Sequence, residues 1–183
     1  MNKTNGKIAE QSKEKFVKAL FIIMKQYNFA EITITQISQE AELSRKTFYR
    51  LFKNKDEVLN FYFERLNKEC FQQLKSKQIH HYWDVVQYYF DFCEEHKSLL
   101  LLLKENGLLE RLFKHSYKYS FHIFEYVRSN EAKKKYSDLL PYMLAYSVGG
   151  MFSMLLKWVE NDMNISSALL IENLKTGFMS TNI

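Results

Sequence analysis

The stretch "TITQISQEAELSRKTFYRLFKNKDEVL", residues 33–59, contains three signals for the start of a helix. Thr33 is followed three residues later by Gln36, the spacing of a capping box, in which each side chain accepts a backbone N–H of the other residue. Ser44 can cap the next helix and Asn54 the one after it, because short polar side chains satisfy the free N–H groups of a first turn. Two short helices with a tight connection, flanked by longer ones, predict a helix-turn-helix.

The apolar residues of this stretch support the same arrangement. Ile37, Ala41 and Leu43 are expected to form the inner side of the first short helix and its turn. Phe48 and Phe52, four residues apart, lie on one face of the second short helix. We therefore expect these two rings to anchor the second helix on the first.

Once both rings are buried, the second short helix presents cationic and hydrogen-bonding groups on its outer side. The outward residues are Arg45, Lys46, Thr47, Tyr49 and Arg50. Arginine can hold guanine through two hydrogen bonds, and lysine, threonine and tyrosine can reach phosphates. Lys53 and Lys55 follow the helix, where phosphate contact is the natural role. The pattern predicts a helix that enters the major groove of DNA; the alternative is a generic helical pair with incidental charge.

The positive charge of the chain is concentrated in its first third. Residues 1–55 contain 11 Lys and Arg and 5 Asp and Glu, a net charge of +6, whereas residues 56–183 have a net charge of −1. A basic segment of this kind indicates where a polyanion docks. The alternative is an ordinary solvated basic surface.

With these features in place, the region resembles the DNA-binding region of the TetR/AcrR family of bacterial transcriptional regulators over about residues 8–62. The matching positions are Thr33, Ile37, Ala41, Leu43, Ser44, Thr47, Phe48, Tyr49, Phe52, Lys55 and Leu59. The resemblance implies core roles for Phe48 and Phe52. The DNA-binding set that follows from the pattern and the resemblance together is Thr33, Thr35, Ser44, Arg45, Lys46, Thr47, Tyr49, Arg50, Lys53 and Lys55.

One residue departs from the family pattern. Glu42 stands in the turn, where members of the family usually carry glycine. Glu42 must therefore adopt a glycine-like conformation at some strain or take a helical conformation. It also brings a carboxylate close to the expected DNA backbone.

The remainder of the chain is predicted to be helical, since glycine (5) and proline (1) are scarce. We expect an all-α protein of about nine helices in three parts. Residues 1–54 would form a three-helix DNA-binding domain, 55–76 a connecting helix, and 77–183 an effector-binding and dimerisation domain. The first helix is expected at 7–27, and the later ones at about 55–75, 82–95, 98–105, 108–129, 137–161 and 166–180.

A stripe of helical spacing in the third part is the candidate effector site. Leu108 and Leu112 begin the stripe as ordinary core residues, and its polar and aromatic end could line a ligand pocket. The candidate effector-binding residues are Tyr88, Phe92, His115, Tyr119, His122 and Tyr126. The alternative is a packing face whose His and Tyr groups are satisfied by neighbours.

A second feature is the segment "PYMLAYSVGGMFSMLLKW", in which Ala145, Gly149 and Ser153 recur every four residues. Small residues at this spacing let another helix approach closely, and so apolar a stripe must be buried inside the chain or against a second copy. TetR family members dimerise through their last two helices, so the resemblance implies a homodimer interface. The expected interface residues are Ala145, Gly149, Met151, Phe152, Ser153, Leu156, Leu170, Leu174 and Phe178.

The sequence argues against several other classes of protein. It contains no Glu-x-x-His pair for a di-iron site, no glycine-rich phosphate loop and no nucleophile elbow, so we expect no enzyme activity, cofactor or metal. The two cysteines, Cys70 and Cys93, lack metal-ligand spacing. The longest apolar run, residues 99–103, is far shorter than the roughly 20 residues of a membrane span. We expect a cytoplasmic protein that does not contact a membrane.

The sequence therefore predicts a homodimeric transcriptional regulator that binds double-stranded DNA and responds to an unknown small molecule. Repression is the commoner mode in the resembled family. The segment "WVENDMNISSALLIENL" also resembles the end of the ligand domain in a Firmicutes subgroup. Two alternatives stay open: a protein–protein adaptor whose C-terminal domain binds a partner, and a DNA-binding dimer without an effector.

Overall fold

The computed structural model describes residues 3–127 and 137–180, and within these ranges the chain is helical with no strand. A short 3₁₀ turn, Ser137–Leu139, precedes the eighth of nine α-helices. The helices are α1 (Lys3–Met24), α2 (Ile34–Glu40), α3 (Arg45–Leu51), α4 (Lys55–Ser76), α5 (Tyr82–Glu95), α6 (Lys97–Glu105), α7 (Leu109–Val127), α8 (Leu140–Glu160) and α9 (Ser167–Ser180). The predicted all-α class is confirmed, and the described ranges contain nine α-helices, in agreement with the expected number.

The chain divides into two compact units, Met1–Arg65 and Leu66–Ile183, and the division falls inside α4. No helix in the described ranges combines the length and the hydropathy that a membrane crossing requires. The boundaries expected for the DNA-binding domain, the connecting helix and the effector-binding domain stay a prediction.

Each of the three predicted helix starts has a capping hydrogen bond. Gln36 donates its backbone N–H to Thr33 Oγ1 at 3.2 Å, and Thr33 donates its own to Gln36 Oε1 at 2.8 Å, so the capping box is confirmed. The Ser44 hydroxyl accepts the N–H of Thr47 at 3.0 Å and starts α3. These bonds satisfy N–H groups that the first turn of a helix leaves without an intrahelical partner.

Two side-chain hydrogen bonds at the start of α4 involve the residues just before the helix, Lys53 and Asn54. Asn54 Oδ1 accepts the N–H of Glu57 at 3.0 Å, as the sequence predicted. The Glu57 carboxylate in turn accepts the N–H of Lys53 at 2.8 Å. The chain that leaves α3 is thereby fixed in the direction of α4.

A cluster of aromatic rings holds α3 in the N-terminal unit. The Phe48 ring centroid lies 5.1 Å from that of Phe16 on α1 and 5.9 Å from that of Phe52. Phe16 and Phe48 are fully buried. Because α3 has only 7 residues, it is too short to be stable as an isolated helix. Burial of Phe48, worth about 1.5–3 kcal/mol, is therefore what keeps this segment helical.

The turn between α2 and α3 closes with a left-handed residue. Glu42 has φ +54°, and its N–H donates to Gln39 O at 3.0 Å. The N–H of Leu43 donates to Ser38 O, also at 3.0 Å. This pair of bonds is the Schellman motif, whose left-handed position usually holds glycine. Of the two conformations that the sequence left open, Glu42 adopts the glycine-like turn.

Lys55, the first residue of α4, ties the helix to the loop between α1 and α2. Its ammonium group donates to the backbone carbonyls of Phe29, Ala30 and Ile32 at 2.6, 2.7 and 2.8 Å. An ammonium group has three N–H donors, so all three are engaged within the unit. Desolvation lowers the pKa of Lys55 from its ordinary value, and the carboxylate of Asp56 offsets part of that effect. We refer to these three bonds as the Lys55 clamp.

In the C-terminal unit, α5 and α6 contact α8 and α9 through both rings and charges. Phe90 on α5 lies 5.7 Å from the ring of Trp158 on α8. Lys104 donates to the last carbonyls of α8, Val159 O and Glu160 O, each at 3.3 Å. Cations suit this position because the C-terminus of a helix is the negative end of its dipole.

Glu42→Gly is expected to stabilise the protein by about 1 kcal/mol, because glycine adopts positive φ without the steric cost that other residues meet there. Urea denaturation monitored by circular dichroism measures the change. Glu42→Ala is the matched control, since it removes the carboxylate but keeps the strain, and it should give no comparable gain. Equal stabilisation by both variants would assign the effect to charge and contradict the strain argument.

Lys55→Met is expected to destabilise the protein by about 1.5–3 kcal/mol, because hydrogen bonds to a charged group are lost while the aliphatic stem is kept. The control is Lys53→Met, whose parent side chain is 87% exposed and should cost less than about 0.5 kcal/mol. Both values follow from urea denaturation. A similar loss in the two variants would rule out a structural role for the Lys55 clamp.

Candidate nucleic-acid interface and effector cavity

The outer side of α3 carries most of the residues predicted to contact DNA. Arg45, Lys46, Tyr49 and Arg50 are exposed, and Tyr49 is 53% exposed even though its ring edge packs on Phe48 at 5.8 Å. Each turn of α3 therefore has an inner aromatic contact and outer polar groups. The geometry presents two guanidinium groups, one ammonium and one phenol on a single side of a helix.

Ser44 and Thr47 take part in the cap at the start of α3. Their hydroxyl oxygens are 2.9 Å apart, and the Thr47 N–H donates to the Ser44 hydroxyl. Thr33 and Thr35 are exposed at the start of α2, where the hydroxyl of Thr33 also bonds to Gln36 at 2.8 Å. The hydroxyl groups of Thr33, Ser44 and Thr47 thus take part in the caps of the two helix starts.

The two lysines after α3 differ in where their charges lie. Lys53 is exposed, with its Nζ 3.9 Å from Glu57 Oε1, a distance at which a surface ion pair is weak. Lys55 instead directs its ammonium into the clamp described above, away from solvent. A direct phosphate contact by the Lys55 ammonium would have to displace one of the three carbonyls.

The shape and charge of α3 suit the major groove of DNA. An α-helix with its side chains is about 10–12 Å in diameter, and the major groove is about 12 Å wide. Arg45, Lys46 and Arg50 supply cations on the exposed side, whereas Glu42 in the preceding turn is an exposed anion. The net charge of this surface is positive, as binding to a phosphate backbone requires.

The stripe predicted to bind an effector packs partly against α4. The rings of His122 and Tyr126 lie 6.3 and 6.2 Å from that of Phe71. The Tyr126 hydroxyl donates to Lys75 O at 3.3 Å, and its ring lies 4.8 Å from that of His80. His122 is exposed. These contacts correspond to the alternative weighed for the stripe, a packing face satisfied by its neighbours.

A cavity of about 120 Å³ lies beside that stripe, within the C-terminal unit. It is bounded by residues of α4, α5, α7 and α8, together with His80 of the loop between α4 and α5. Of the six predicted effector residues, Tyr88 lines it. The α7 wall consists of the neighbouring residues Ser120, Ile123, Phe124 and Val127, and the α8 wall of Met143, Leu144, Ser147, Val148 and Met151.

Phe92 and the two cysteines border a smaller space next to this cavity, of about 30 Å³. Burial raises the pKa of Cys70 to about 12, and it raises the pKa of Cys93 and of Tyr88 above their ordinary values. The Tyr88 hydroxyl donates to Cys70 O at 3.0 Å. Both thiols are therefore protonated at neutral pH and behave as small apolar groups. No group of three or more His, Cys, Asp or Glu that could hold a metal ion occurs in the described part of the chain.

One face of α8 is exposed although it is apolar. Tyr142 and Tyr146 are 75% and 74% exposed, and Ala145 and Ser153 are exposed beside them. Gly149 is half-buried on the same face, and a Cβ built there would meet no atom within 4 Å. A Cβ built at Gly150, or at Gly177 on α9, would likewise meet no atom within 4 Å. Packing inside the described chain thus gives no reason for these glycines.

The other residues of the predicted interface are placed less uniformly. Phe152 stacks on Phe113 of α7 at 3.9 Å, and Met151 lines the cavity. Leu156, Leu170 and Leu174 are half-buried. The side chain of Phe178 lies outside the described residues.

Sequence reasoning missed most of the cavity wall. The α7 wall was one helical step away from the chosen stripe, and its apolar residues looked like ordinary core. The Ser147 hydroxyl lies inside the apolar α8 segment, between Met143 and Met151. A polar residue on the inward side of an apolar helix was the signal that could have directed attention there.

Comparison with family models gives one match, over residues 17–60, to the family described as bacterial regulatory proteins, tetR family. The match covers α2 and α3, the end of α1 from residue 17 and the start of α4 up to residue 60. Comparison with curated proteins gave no match. The chain therefore carries the DNA-binding domain of the tetR family, as its sequence predicted, and is a DNA-binding transcriptional regulator.

Proposed function

We propose that this regulator is a homodimeric repressor that leaves its operator when a small molecule binds in its C-terminal unit. The observation that carries the proposal is the cationic outer side of α3, fixed from behind by the buried ring of Phe48. The adaptor alternative is not favoured, because the family match falls on the helix-turn-helix.

Lys46 and Arg50 are the outward residues best placed to enter a groove. Each is two residues from Phe48 along α3, about 200° around the helix from the buried ring. Arg45 and Tyr49 flank them on one side. We assign base contacts to Arg50 and Arg45, because arginine recognises guanine bidentately, and phosphate contacts to Lys46 and Lys53. Two copies of α3 would occupy successive major grooves about 34–36 Å apart on a near-palindromic site.

The effector is proposed to act through α4. This helix begins at the Lys55 clamp and contributes Cys70 and Leu74 to the cavity. A ligand shifts an equilibrium only as far as it binds one state better than the other. Release from DNA therefore requires that the cavity fit the ligand better in the arrangement that does not match the operator.

The exposed face of α8 supports the proposal of a homodimer. Glycine inside a helix costs about 1 kcal/mol relative to alanine, and Gly149 and Gly150 have open space where a Cβ would lie. Close approach of a second α8 would explain that cost, since small residues let helix backbones pack tightly. Tyr142 and Tyr146 would then be covered by the partner, as a contiguous apolar patch requires.

Selection from a random duplex library should enrich a near-palindromic sequence for the parent protein. Arg50→Ala is expected to weaken binding to that sequence by about 5- to 150-fold for each half-site, because each protomer loses one bidentate base contact. Lys118→Ala, which removes an exposed cation of α7, is the control and should bind like the parent. Fluorescence anisotropy on a labelled duplex gives the affinities. Absence of enrichment at low salt, or an equal loss in both variants, would overturn the DNA-binding assignment to α3.

The dimer proposal predicts that the parent sediments with twice the chain mass of 22.0 kDa. Gly149→Leu should shift the protein toward monomer, because the new side chain occupies the space that the partner helix needs. Helical content should be retained, since a Cβ at this position meets nothing inside the chain. The control is Lys18→Leu, an exposed α1 position that gains the same side chain. A monomeric parent, or a Gly149→Leu dimer of unchanged affinity, would contradict the proposal.

A further inference from the structure

We infer that the cavity of the C-terminal unit selects an uncharged, mainly apolar effector about the size of one six-membered ring, with one hydrogen-bonding group directed at Ser147. The inference rests on the proposed function for the statement that the bound molecule is an effector. The class of ligand itself follows from the lining of the cavity, and it is tested separately below.

The absence of charge in the lining sets the first requirement. Among the described residues that border the cavity there is no Lys, Arg, Asp or Glu, and the imidazole of His80 already meets the Tyr126 hydroxyl at 3.4 Å. The surface consists mainly of aliphatic, aromatic and thioether groups, such as Val85, Ile123, Phe124 and Met143. An ion that entered would lose its hydration without gaining a countercharge, and buried ions without partners are strongly disfavoured. A neutral molecule meets no such penalty.

The volume sets the second requirement. The cavity measures about 120 Å³. An engineered apolar cavity of about 150 Å³ in another protein holds one benzene molecule. A single ring with a small substituent is therefore the upper limit for a ligand held wholly inside, unless the walls move. Two thioether side chains, those of Met143 and Met151, face the same space, and thioethers make favourable contacts with aromatic edges.

The hydrogen-bonding groups in the lining are not equally available. The Tyr88 hydroxyl already donates to Cys70 O at 3.0 Å, and the Ser120 hydroxyl donates to Tyr117 O at 2.7 Å. The Ser147 hydroxyl makes no hydrogen bond to the described residues. Ser147 can therefore donate to, or accept from, a ligand without breaking a bond of the protein. This assigns it the role of orienting one polar group of the ligand.

Ser147 also stands where the cavity adjoins the surface. Tyr82, Ser147 and Met151 line both the cavity and an open groove of about 630 Å³ between α5, α8 and α9. The groove continues along Trp83 and Gly150. A ligand would enter from the groove with its polar group last, because the apolar end gains more from the interior. The hydroxyl of Ser147 is then placed to hold that polar group near the entrance.

Three probes that share one ring test the class: toluene and phenol, which are neutral near pH 7, and benzoate, which is an anion. The readout is the thermal unfolding midpoint of the full-length protein, with saturation-transfer NMR to detect binding directly. At about five times the dissociation constant, toluene and phenol should raise the midpoint by about 2–4 °C. Benzoate should leave it unchanged.

Four variants locate the bound probe. Ile123→Trp fills the cavity from α7 and should abolish the shift, whereas Phe121→Trp changes an exposed residue of the same helix and should preserve it. Ser147→Ala should weaken phenol by about two- to tenfold and leave toluene unaffected, because only phenol uses the hydroxyl. Met154→Trp obstructs the groove without touching the cavity lining, and equilibrium binding of toluene should survive it.

The outcomes separate the ligand class from the regulatory proposal. A benzoate shift equal to that of toluene and lost in Ile123→Trp would overturn the neutral class. Failure of all three probes to bind would overturn the inference, even if operator binding is intact in the same samples. Binding of toluene and phenol with the expected variant pattern would support the ligand class; unchanged operator affinity in their presence would then count against the effector mechanism alone.

Discussion

The contact between Phe48 and Phe16 is the constraint on which the DNA-binding unit depends. A segment of 7 residues has too few internal hydrogen bonds to hold a helix in water, so α3 takes its shape and its direction from the ring that it buries. The same contact decides which residues face outward. Because Phe48 faces inward, Lys46 and Arg50, each two residues away, lie on the opposite, outer face of the helix. Recognition chemistry and core packing are thus two consequences of one buried side chain, and Phe52 at 5.9 Å reinforces it.

Two local features around this contact show how the unit accommodates residues that conflict with simple preference. Glu42 occupies a left-handed position that glycine would fill with less strain, and the two hydrogen bonds of the Schellman motif hold it there. Lys55 places an ammonium group partly out of water, which is unfavourable unless its donors are met, and three carbonyls meet them. In each case backbone hydrogen bonding outweighs the intrinsic preference of the side chain.

The helix-turn-helix could be predicted because its information is local. Caps at Thr33, Ser44 and Asn54 and the pair Phe48–Phe52 act over three or four residues, a range that spacing alone reveals. The cavity of the C-terminal unit could not, because it forms where four separate helices meet. On α7 the stripe of His115, Tyr119, His122 and Tyr126 and the stripe of Ser120, Ile123, Phe124 and Val127 have the same period, and only tertiary packing decides which one faces the cavity. The role of Lys55 was hidden for a similar reason: its partners lie 23 to 26 residues earlier in the chain.

The Lys55 clamp also makes the connection between α4 and the loop before α2 rigid. It joins the first turn of α4 to the loop that leads into α2, and its bonds are short, 2.6–2.8 Å, with no side chain between the ammonium group and the backbone that it holds. Displacing the first turn of α4 from this loop would break all three bonds of the charged ammonium group at once. The clamp makes the first turn of α4 and the loop before α2 a single rigid joint of the N-terminal unit, where one bond alone would leave a hinge.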